Sequence, residues 1–341
     1  MDLELIAIAL AALLIAWGCT GAMRRYALAR AILDVPNDRS SHTVPTPRGG
    51  GLGIVIAASV GFLGLAIRGR ISPELCAVLI GGGAAIALVG FIDDLRGLSA
   101  RVRLIVHATA AFAALLASGP PSAQWWTEDA SYGWVELLTM SLGIIWSINL
   151  FNFMDGIDGL AGTESAFIAA AGALLSICLV NASSDAGGAA AIFAAATVGY
   201  LWWNWPPARI FMGDVGSGYI GYVIAVLALS AQREHPGSLL AWSILAGIFV
   251  VDATITLLRR LARGERVFEP HRRHAYQILS RRWNSHARVT VTALAVNVSW
   301  LLPLAVLAML RPEHGWIWLS LAVLPIGISA LRVGAGGPAE H

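Results

Sequence analysis

The chain alternates long apolar stretches with short polar segments along its whole length. A helix that crosses the hydrocarbon core of a bilayer needs about twenty predominantly apolar residues, and stretches of this kind recur throughout. The pattern predicts an all-α, polytopic integral membrane helix bundle of eleven transmembrane helices in one domain, 1–341, without an internal repeat or a second soluble domain. The predicted spans are 3–23, 51–67, 75–92, 102–118, 134–153, 160–181, 188–204, 216–231, 238–258, 290–310 and 315–333.

Four polar segments lie at the ends of apolar spans. They are 91–96, with Asp93 and Asp94; 149–159, with Asn149, Asn152, Asp155 and Asp158; 211–217, with Phe211 and Asp214; and 271–277, with His271, Arg273 and His274. Carboxylates, amides, histidines and arginines are the groups that metal-assisted phosphate chemistry needs. They can form one water-facing site if all four segments lie on the same side of the membrane.

The distribution of arginine predicts that they do. All 23 basic residues are arginine, and alternate loops divide them unequally between the two sides. One side receives four, Arg68, Arg70, Arg233 and Arg311, and the other side receives the rest, nine of them in the loop 259–289. Since positive charge stays cytoplasmic, we expect the amino terminus outside and the carboxyl terminus in the cytoplasm. The cytoplasmic loops 24–50, 93–101, 154–159, 205–215 and 259–289 would then form the active site.

Composition excludes an ordinary soluble domain. Hydrophobic residues make up 57% of the chain and charged residues 13%, whereas soluble domains carry about 25% charge. The first span follows Asp2 and precedes Arg24, so we expect a membrane anchor and not a signal peptide, which would begin with positive charge. The three cysteines lie within apolar spans and are expected to be buried. Trp125, Trp126 and Tyr132, on the outer side, are interpreted as interfacial anchors.

The pair Asp93-Asp94 follows an apolar helix directly. Two acids could simply end the helix in water. However, carboxylates are unfavourable at a helix carboxyl end, where the macrodipole is already negative. A bound cation or a chemical role explains the pair better, and Arg96, Arg101 and Arg103 are near enough in sequence to balance the charge or to bind phosphate.

The next polar segment repeats amides and acids at every third position, which gathers side chains on one helix face. These residues are Asn149, Asn152, Asp155 and Asp158. Such groups at a membrane-embedded helix end are costly without partners. Hard oxygen ligands suit Mg²⁺ or Mn²⁺ and not zinc or copper. The order of acids and glycines of an EF-hand calcium loop is absent, so a magnesium-type site is predicted.

Two glycine-rich segments could approach a ligand closely. In 211–217, Asp214 lies between two glycines that allow close backbone approach, although an acid at a helix start is also an ordinary cap. Phe211 could stack on a base or anchor the loop at the interface. The run 48–53 lacks Walker spacing and a preceding strand, so it is predicted to be a flexible helix start.

The loop 259–289 is the most basic part of the chain. In isolation such a loop sets topology and meets anionic lipid. Its cluster of His271, Arg273 and His274 could also bind pyrophosphate, which arginine contacts bidentately. A metal role for the histidines is disfavoured because oxygen ligands are plentiful elsewhere. Asp252, near the end of the preceding span, is expected to pair with an arginine of this loop.

Taken together, the motifs resemble the polyprenyl-phosphate N-acetylhexosamine-1-phosphate transferases of glycosyltransferase family 4. The resemblance rests on Asp-Asp at 93–94, Asn-x-x-Asn-x-x-Asp-Gly-Ile-Asp-Gly-Leu from 149, Phe-Met-Gly-Asp-x-Gly-Ser from 211 and the histidine-arginine loop, in this order. It covers nearly the whole chain. The stretch 34–51 resembles bacterial members that initiate O-antigen or related surface glycans.

This resemblance implies ten or eleven transmembrane helices around a cytoplasmic cleft in the bacterial inner membrane, with a lateral groove for lipid. The implied reaction joins the sugar 1-phosphate of a UDP-N-acetylhexosamine to undecaprenyl phosphate and releases UMP, with Mg²⁺ or Mn²⁺ as cofactor. Apart from these substrates and membrane lipids, no nucleic-acid partner is expected, and a homodimer is left open.

The resemblance also implies roles for individual residues. Asn152 and Asp214 would hold the metal; Asp93 and Asp94 would meet the lipid phosphate; Asp155 and Asp158 would shape the nucleotide site; and Phe211 would stack on uracil. Arg103 occupies the position of a phosphate-binding lysine that is common in relatives, and Arg273 and His274 would reach the pyrophosphate. The full set of further substrate contacts would be Arg48, Arg103, Asn149, His271, Arg273 and His274.

Several alternatives stay open. His271-Arg-Arg-His274 replaces the triple histidine of the peptidoglycan-precursor enzyme, which argues against a muramoyl-pentapeptide substrate. The sugar could be N-acetylglucosamine, N-acetylgalactosamine or a 6-deoxy sugar such as N-acetylfucosamine or N-acetylquinovosamine. Direct attack by the lipid phosphate is favoured, with a covalent aspartyl-phosphate as the alternative. A transporter or flippase would instead predict ionisable groups at mid-membrane and internal repeats, and neither is visible in the sequence.

Overall fold

The computed structural model describes residues 2–36, 44–118, 133–181, 183–265 and 271–338. The predicted anchors Trp125, Trp126 and Tyr132 lie outside these residues. The helices are α1 Leu3–Ala29, α2 Leu52–Ile67, α3 Pro73–Arg96, α4 Ala100–Ser118, α5 Gly133–Met154, α6 Leu160–Val180, α7 Asp185–Asn204, α8 Asp214–Glu234, α9 Ser238–Leu245, α10 Gly247–Leu261, α11 Ala275–Trp283, α12 His286–Leu310 and α13 Pro312–Val333. The predicted all-α bundle is confirmed, with one addition, a pair of two-residue antiparallel strands, β1 Leu33–Asp34 and β2 Thr46–Pro47.

Apart from the short helix α11, the helices coincide with the predicted spans, although not all of them are long enough to cross a membrane by the usual criterion. Within the described residues, nine helices have the length and hydropathy of a membrane span. A tenth span would be α9 and α10 together, which meet at an angle of 72°. The helix α2, with 16 residues, is shorter. The multi-pass architecture is therefore established, and the number eleven stays a prediction.

The helix α8 lies at the centre of the bundle: 89% of the residues in its apolar 18-residue stretch are buried. Two glycine contacts show how closely its neighbours approach. A Cβ on Gly221 of α8 would lie 2.3 Å from the Ser147 carbonyl oxygen of α5, and a Cβ on Gly90 of α3 would lie 2.3 Å from the Asp214 carbonyl oxygen. The second contact brings the end of α3 against the start of α8.

The polar segments of the sequence all lie at one end of the bundle, where α3 and α5 end and where α8 and α11 begin. The opposite end is held by other polar contacts. Arg68 pairs with Glu4 at 3.2 Å, and the Asp185 carboxylate accepts the Ser72 N–H at 2.7 Å. Convergence of the four segments at one end was the geometric condition for a single site.

Candidate active site

The two acids that end α3 have different surroundings. Asp94 is 3% exposed and accepts the backbone N–H of Asp214 at 2.9 Å and that of Val215 at 3.2 Å. A carboxylate is favourable at a helix amino terminus, where N–H groups lack partners and the macrodipole is positive. Asp94 therefore caps α8. Asp93 accepts the Leu98 N–H and lies nearer to solvent, with 11% of its side chain exposed.

Two arginines connect these acids to Asp214. Arg103 Nη1 lies 2.7 Å from Asp93 Oδ2 and 3.3 Å from Asp214 Oδ2. Arg48 Nε lies 2.8 Å from Asp94 Oδ1, and its Nη2 lies 2.8 Å from Asp214 Oδ1. The result is an alternating chain of charges, Asp93–Arg103–Asp214–Arg48–Asp94, which we call the charge chain. Burial alone would lower the pKa of Arg48, but the carboxylates of Asp94 and Asp214 outweigh it and raise that pKa, so Arg48 stays cationic.

Backbone contacts explain why Arg48 is delivered to this point. The Gly50 and Gly51 N–H groups donate to the Phe211 and Met212 carbonyl oxygens, both at 2.9 Å. A Cβ on Gly51 would lie 2.3 Å from the Gly216 Cα, so only glycine allows this approach of backbone to backbone. The predicted helix start is confirmed, since α2 begins at Leu52. The glycines that precede α2 are closely packed, however, so their role is to allow the close backbone contact and not to provide flexibility.

The predicted metal ligand Asn152 lies on α5 opposite the start of α8. Its Nδ2 donates to Ser217 Oγ at 3.1 Å, in the first turn of the helix that Asp214 begins. Asn149 faces its own helix, where its Nδ2 donates to the Ile145 carbonyl oxygen at 2.7 Å. Phe211 lies in the loop before α8, and its N–H donates to the Pro47 carbonyl oxygen at 2.8 Å. The described contacts thus place Asn152 beside the first turn of α8, which Asp214 begins, whereas the described contact of Asn149 is within its own helix.

Asp155 lies within electrostatic range of the charge chain. Burial raises its pKa well above the ordinary range; Arg48 opposes this shift, and the carboxylates of Asp214, Asp94 and Asp158 add to it. The raised pKa reflects first the loss of hydration around a buried carboxylate and only then the repulsion from neighbouring carboxylates. A cation bound nearby would favour the ionised form of Asp155.

Asp158 has mainly a connecting role in the structure. Its Oδ2 accepts the Ala208 N–H at 3.0 Å and lies 3.3 Å from His286 Nδ1. These contacts fix the loop before α8 and the first residue of α12.

Asn204, which the sequence analysis did not select, has a similar role: it accepts the Gly159 N–H at 3.0 Å and donates to the Ile210 carbonyl oxygen at 3.1 Å. Its position just before the Pro206-Pro207 turn was the feature of the sequence that could have indicated this role.

Asp252 organises the start of α11. It accepts the Ala275 N–H at 2.8 Å and the Tyr276 N–H at 3.0 Å. A helix amino terminus offers directed N–H donors of this kind to a buried carboxylate, and the expected pairing with an arginine of the loop stays a prediction. The Tyr276 hydroxyl then donates to the Phe153 carbonyl oxygen at 3.0 Å, which joins α11 to the polar end of α5.

The histidine-arginine loop is close to the site, but its predicted ligands face their own neighbours. His274 is 5% exposed, stacks on His271 with 4.8 Å between ring centroids, and lies 3.4 Å from Asp252. Arg273 donates to Glu265 at 2.8 Å and to the Gly337 carbonyl oxygen at 3.1 Å. Burial, reinforced by the neighbouring side chains of His274, Arg260 and Arg273, lowers the pKa of His271 to about 3. The structure therefore does not place Arg273 or His274 against the charge chain.

The donor set at the charge chain fits a hard divalent cation. In the parts of the chain that the structure describes, no three His, Cys, Asp or Glu side chains are already arranged as metal ligands. Asp93, Asp94, Asp155 and Asp214 nevertheless face two guanidinium groups, so four negative charges meet two positive charges and two are left over if all are ionised. A divalent cation on oxygen ligands would balance this excess.

An apolar groove of about 510 Å³ lies beside the site, between α5, α10, α11, α12 and α13. Trp283, Trp300 and Pro325 are among its apolar lining residues, and Asp252 and Tyr276 also line it. The bend between α9 and α10 turns α10 into the wall of this groove. The lining of the groove is predominantly apolar, as an isoprenoid chain would require, with a few polar groups among its residues.

The chain is similar to known proteins over most of its length. The model of glycosyl transferase family 4 matches residues 76–232, which include three of the four polar segments. Over 326 residues, the chain is 27% identical to a probable undecaprenyl-phosphate N-acetylglucosaminyl 1-phosphate transferase of Bacillus subtilis (strain 168), with 92% of this chain and 86% of the relative covered.

Two mycobacterial relatives are similarly close. The decaprenyl-phosphate N-acetylglucosaminephosphotransferase of Mycobacterium tuberculosis (strain ATCC 25618 / H37Rv) is 30% identical, over 84% of this chain and 78% of the relative. A phospho-N-acetylmuramoyl-pentapeptide-transferase of Mycobacterium sp. (strain JLS) is 31% identical, over 65% and 73% respectively. The resemblance inferred from the motifs is confirmed, and the chain belongs to the polyprenyl-phosphate N-acetylhexosamine-1-phosphate transferase family.

Proposed function

We propose that this protein transfers the sugar 1-phosphate of a UDP-N-acetylhexosamine to undecaprenyl phosphate, giving undecaprenyl-pyrophosphoryl-sugar and UMP. The reaction would take place at the cytoplasmic face of the bacterial inner membrane and would begin the synthesis of an O-antigen or related surface polysaccharide. The observation that carries this proposal is the charge chain at the polar end of α3 and α8, next to a lateral apolar groove.

Charge neutralisation is the main task of such a site, because two anions must meet. Arg48 and Arg103 are held at hydrogen-bonding distance from Asp214, so they are positioned to shift from carboxylate to phosphate oxygens when substrate enters. Preorganised cations of this kind stabilise the charge that develops in the transition state. Asp94, which caps α8, contacts both the Asp214 N–H and the Arg48 side chain and so holds the two residues in their relative positions.

A magnesium ion, held by Asp214 and Asn152, would neutralise the donor pyrophosphate and favour departure of UMP. The acceptor needs little activation, since a phosphate monoester with a second pKa of about 6 is largely dianionic at neutral pH. We therefore favour in-line attack by the lipid phosphate on the sugar-bearing phosphorus. The alignment of the two substrates supplies much of the remaining rate.

N-acetylglucosamine is the first donor to test, because two of the relatives are named for it. The muramoyl-pentapeptide substrate of the third relative is disfavoured by the His271-Arg-Arg-His274 sequence. The purified protein should be incubated with undecaprenyl phosphate and each of a panel of UDP-N-acetylhexosamines, and the lipid product identified by mass spectrometry. We expect one donor to give lipid-linked phosphosugar, with EDTA abolishing its formation. Movement of sugar across a vesicle membrane without UMP release would instead favour a transporter.

A further inference from the structure

Tyr200 is a fully buried tyrosine near the polar end of α7. Its ring fills the space between the glycine turn that follows Arg48 and the first residues of α6. A Cβ on Gly50 would lie 2.9 Å from the Tyr200 Cε2, and a Cβ on Gly162 would lie 3.5 Å from the Tyr200 Cε1. These contacts fix the ring, and with it the hydroxyl, at the polar end of the bundle.

The hydroxyl of Tyr200 has no hydrogen-bond partner in the part of the chain that the structure describes. A buried hydroxyl left without a partner destabilises a protein, and such groups are uncommon. Asn204 lies one turn further along α7, on the same helix face, and it accepts the Gly159 N–H at 3.0 Å. This face of α7 is therefore directed at the polar loop that connects α5 to α6.

Two carboxylates of this loop, those of Asp155 and Asp158, lie within electrostatic range of the Tyr200 hydroxyl. Asp158 is already engaged, since it accepts the Ala208 N–H at 3.0 Å and lies 3.3 Å from His286 Nδ1. By contrast, no hydrogen bond or ion pair joins the Asp155 side chain to another described residue. A donor without an acceptor thus lies close to an acceptor without a donor.

We propose that Tyr200 is a positioning residue of the donor site: when the UDP-sugar binds, its hydroxyl donates to the Asp155 carboxylate and orients that carboxylate toward the donor substrate. Hydrogen bonds to an ionised carboxylate are stronger than those between neutral groups. Because the hydroxyl has no partner in the free protein, no existing protein bond is broken when this one forms. The inference rests on the proposed function and specifies how its donor substrate is held.

The variant Tyr200→Phe tests this role, because it removes the hydroxyl and keeps the ring that fills the space. Without substrate, its melting temperature should equal or exceed that of wild type, since only an unpaired buried hydroxyl is lost. The dissociation constant of UDP-N-acetylglucosamine, or of the donor that the panel identifies, should rise about tenfold or more, as for one lost hydrogen bond to a charged group. Titration calorimetry with Mg²⁺ and without lipid measures it, and KM for undecaprenyl phosphate should stay unchanged.

The matched control is Tyr219→Phe. Tyr219, in α8, is likewise fully buried, and the groups that act on its hydroxyl are Ser59 and Tyr222, with no carboxylate of the described residues among them. This variant loses the same atom from the interior of the same bundle and should bind the UDP-sugar like wild type. An equal loss of affinity in both phenylalanine variants would contradict a specific role of Tyr200.

A double variant shows whether Tyr200 acts through Asp155. Asp155→Ala removes the acceptor, so Tyr200→Phe should weaken UDP-sugar binding no further in that background. Unchanged affinity in Tyr200→Phe alone, a further loss in the Asp155→Ala background, or a lower melting temperature of the substrate-free Tyr200→Phe protein would each overturn the inference. Absence of product with wild-type protein and every UDP-sugar would instead contradict the proposed function, so the two failures can be distinguished.

Discussion

The carboxylate of Asp94 accepts the backbone N–H of Asp214 at 2.9 Å. An acid that ends one helix thus caps the next helix of the site, 120 residues later in the chain. Asp252 makes the same type of contact with the first residues of α11. Both acids contribute to the site by fixing the start of a helix that carries other polar residues.

The role of Asp94 as a cap predicts a graded effect of substitution. Asp94→Ala removes the acceptor for two N–H groups and should lower the free energy of unfolding by about 1–2 kcal/mol, as for other lost amino-terminal caps. Asp94→Asn keeps an acceptor oxygen but loses the ion pair with Arg48, so its loss should be smaller. Thermal melting of the purified variants measures both. Equal melting temperatures for wild type and Asp94→Ala would contradict the capping role.

Much of the fold follows from the hydrophobic pattern, since each predicted span coincides with a helix or with the bent pair α9–α10. The bend itself was not visible, because the span 238–258 contains neither proline nor a polar interruption near Ala246. The small strand pair was also missed, because two-residue strands leave no periodic pattern.

The residue types of the site were largely predictable, but their pairings were not. Asp93, Asp94 and Asp214 were selected as site residues from local motifs, and the structure brings them together through Arg48 and Arg103. Which carboxylate caps a helix and which lies nearer to solvent depends on contacts more than a hundred residues apart. For the same reason the sequence could not show that the loop 271–274 is bound to residues beyond α13.

The arginine distribution predicts the orientation of the bundle, which cysteine labelling can test. Ala262 and Ser183 are exposed at opposite ends of the bundle. In a background without Cys19, Cys76 and Cys178, an impermeant maleimide added to intact cells should label Ser183→Cys and should label Ala262→Cys only after the cytoplasmic side is opened. The reverse pattern would place the charge chain outside and would contradict the proposed use of a cytoplasmic UDP-sugar.

The lowered pKa of His271 predicts a pH-dependent stability. The ordinary pKa of histidine is 6.5 and that of folded His271 is about 3, so the unfolded chain binds an additional proton between these values. The free energy of unfolding should therefore fall as pH decreases below about 6.5. Melting between pH 7 and pH 5 should show this fall in wild type and a smaller fall in His271→Asn. Identical slopes for wild type and His271→Asn would refute the prediction.

The lipid phosphate and the contacts of Asp93 together favour direct transfer over a covalent intermediate. The phosphate is largely dianionic at neutral pH and supplies its own nucleophilic oxygen, whereas the two oxygens of Asp93 accept from the Leu98 N–H and from Arg103 and so hold these groups in place. With UDP-sugar alone, wild-type protein should release no UMP, and Asp93→Asn should keep a residual rate with lipid present, because the cations still stabilise the transition state. A rapid release of about one equivalent of UMP per enzyme without lipid would instead show a covalent phosphosugar intermediate.

The central claim is that the charge chain around Asp214 catalyses phosphosugar transfer to a polyprenyl phosphate. The most direct measurement follows a radioactive β-phosphate of UDP-N-acetylglucosamine, or of the donor that the panel identifies, in wild type and Asp214→Asn. Asp185→Asn, at the other end of the bundle, is the matched control. We predict that the label appears in the lipid product and UMP is released unlabelled, that both require undecaprenyl phosphate, and that Asp214→Asn loses nearly all turnover while it melts like the control. Label that stays out of the lipid, or full turnover in Asp214→Asn, would contradict the claim.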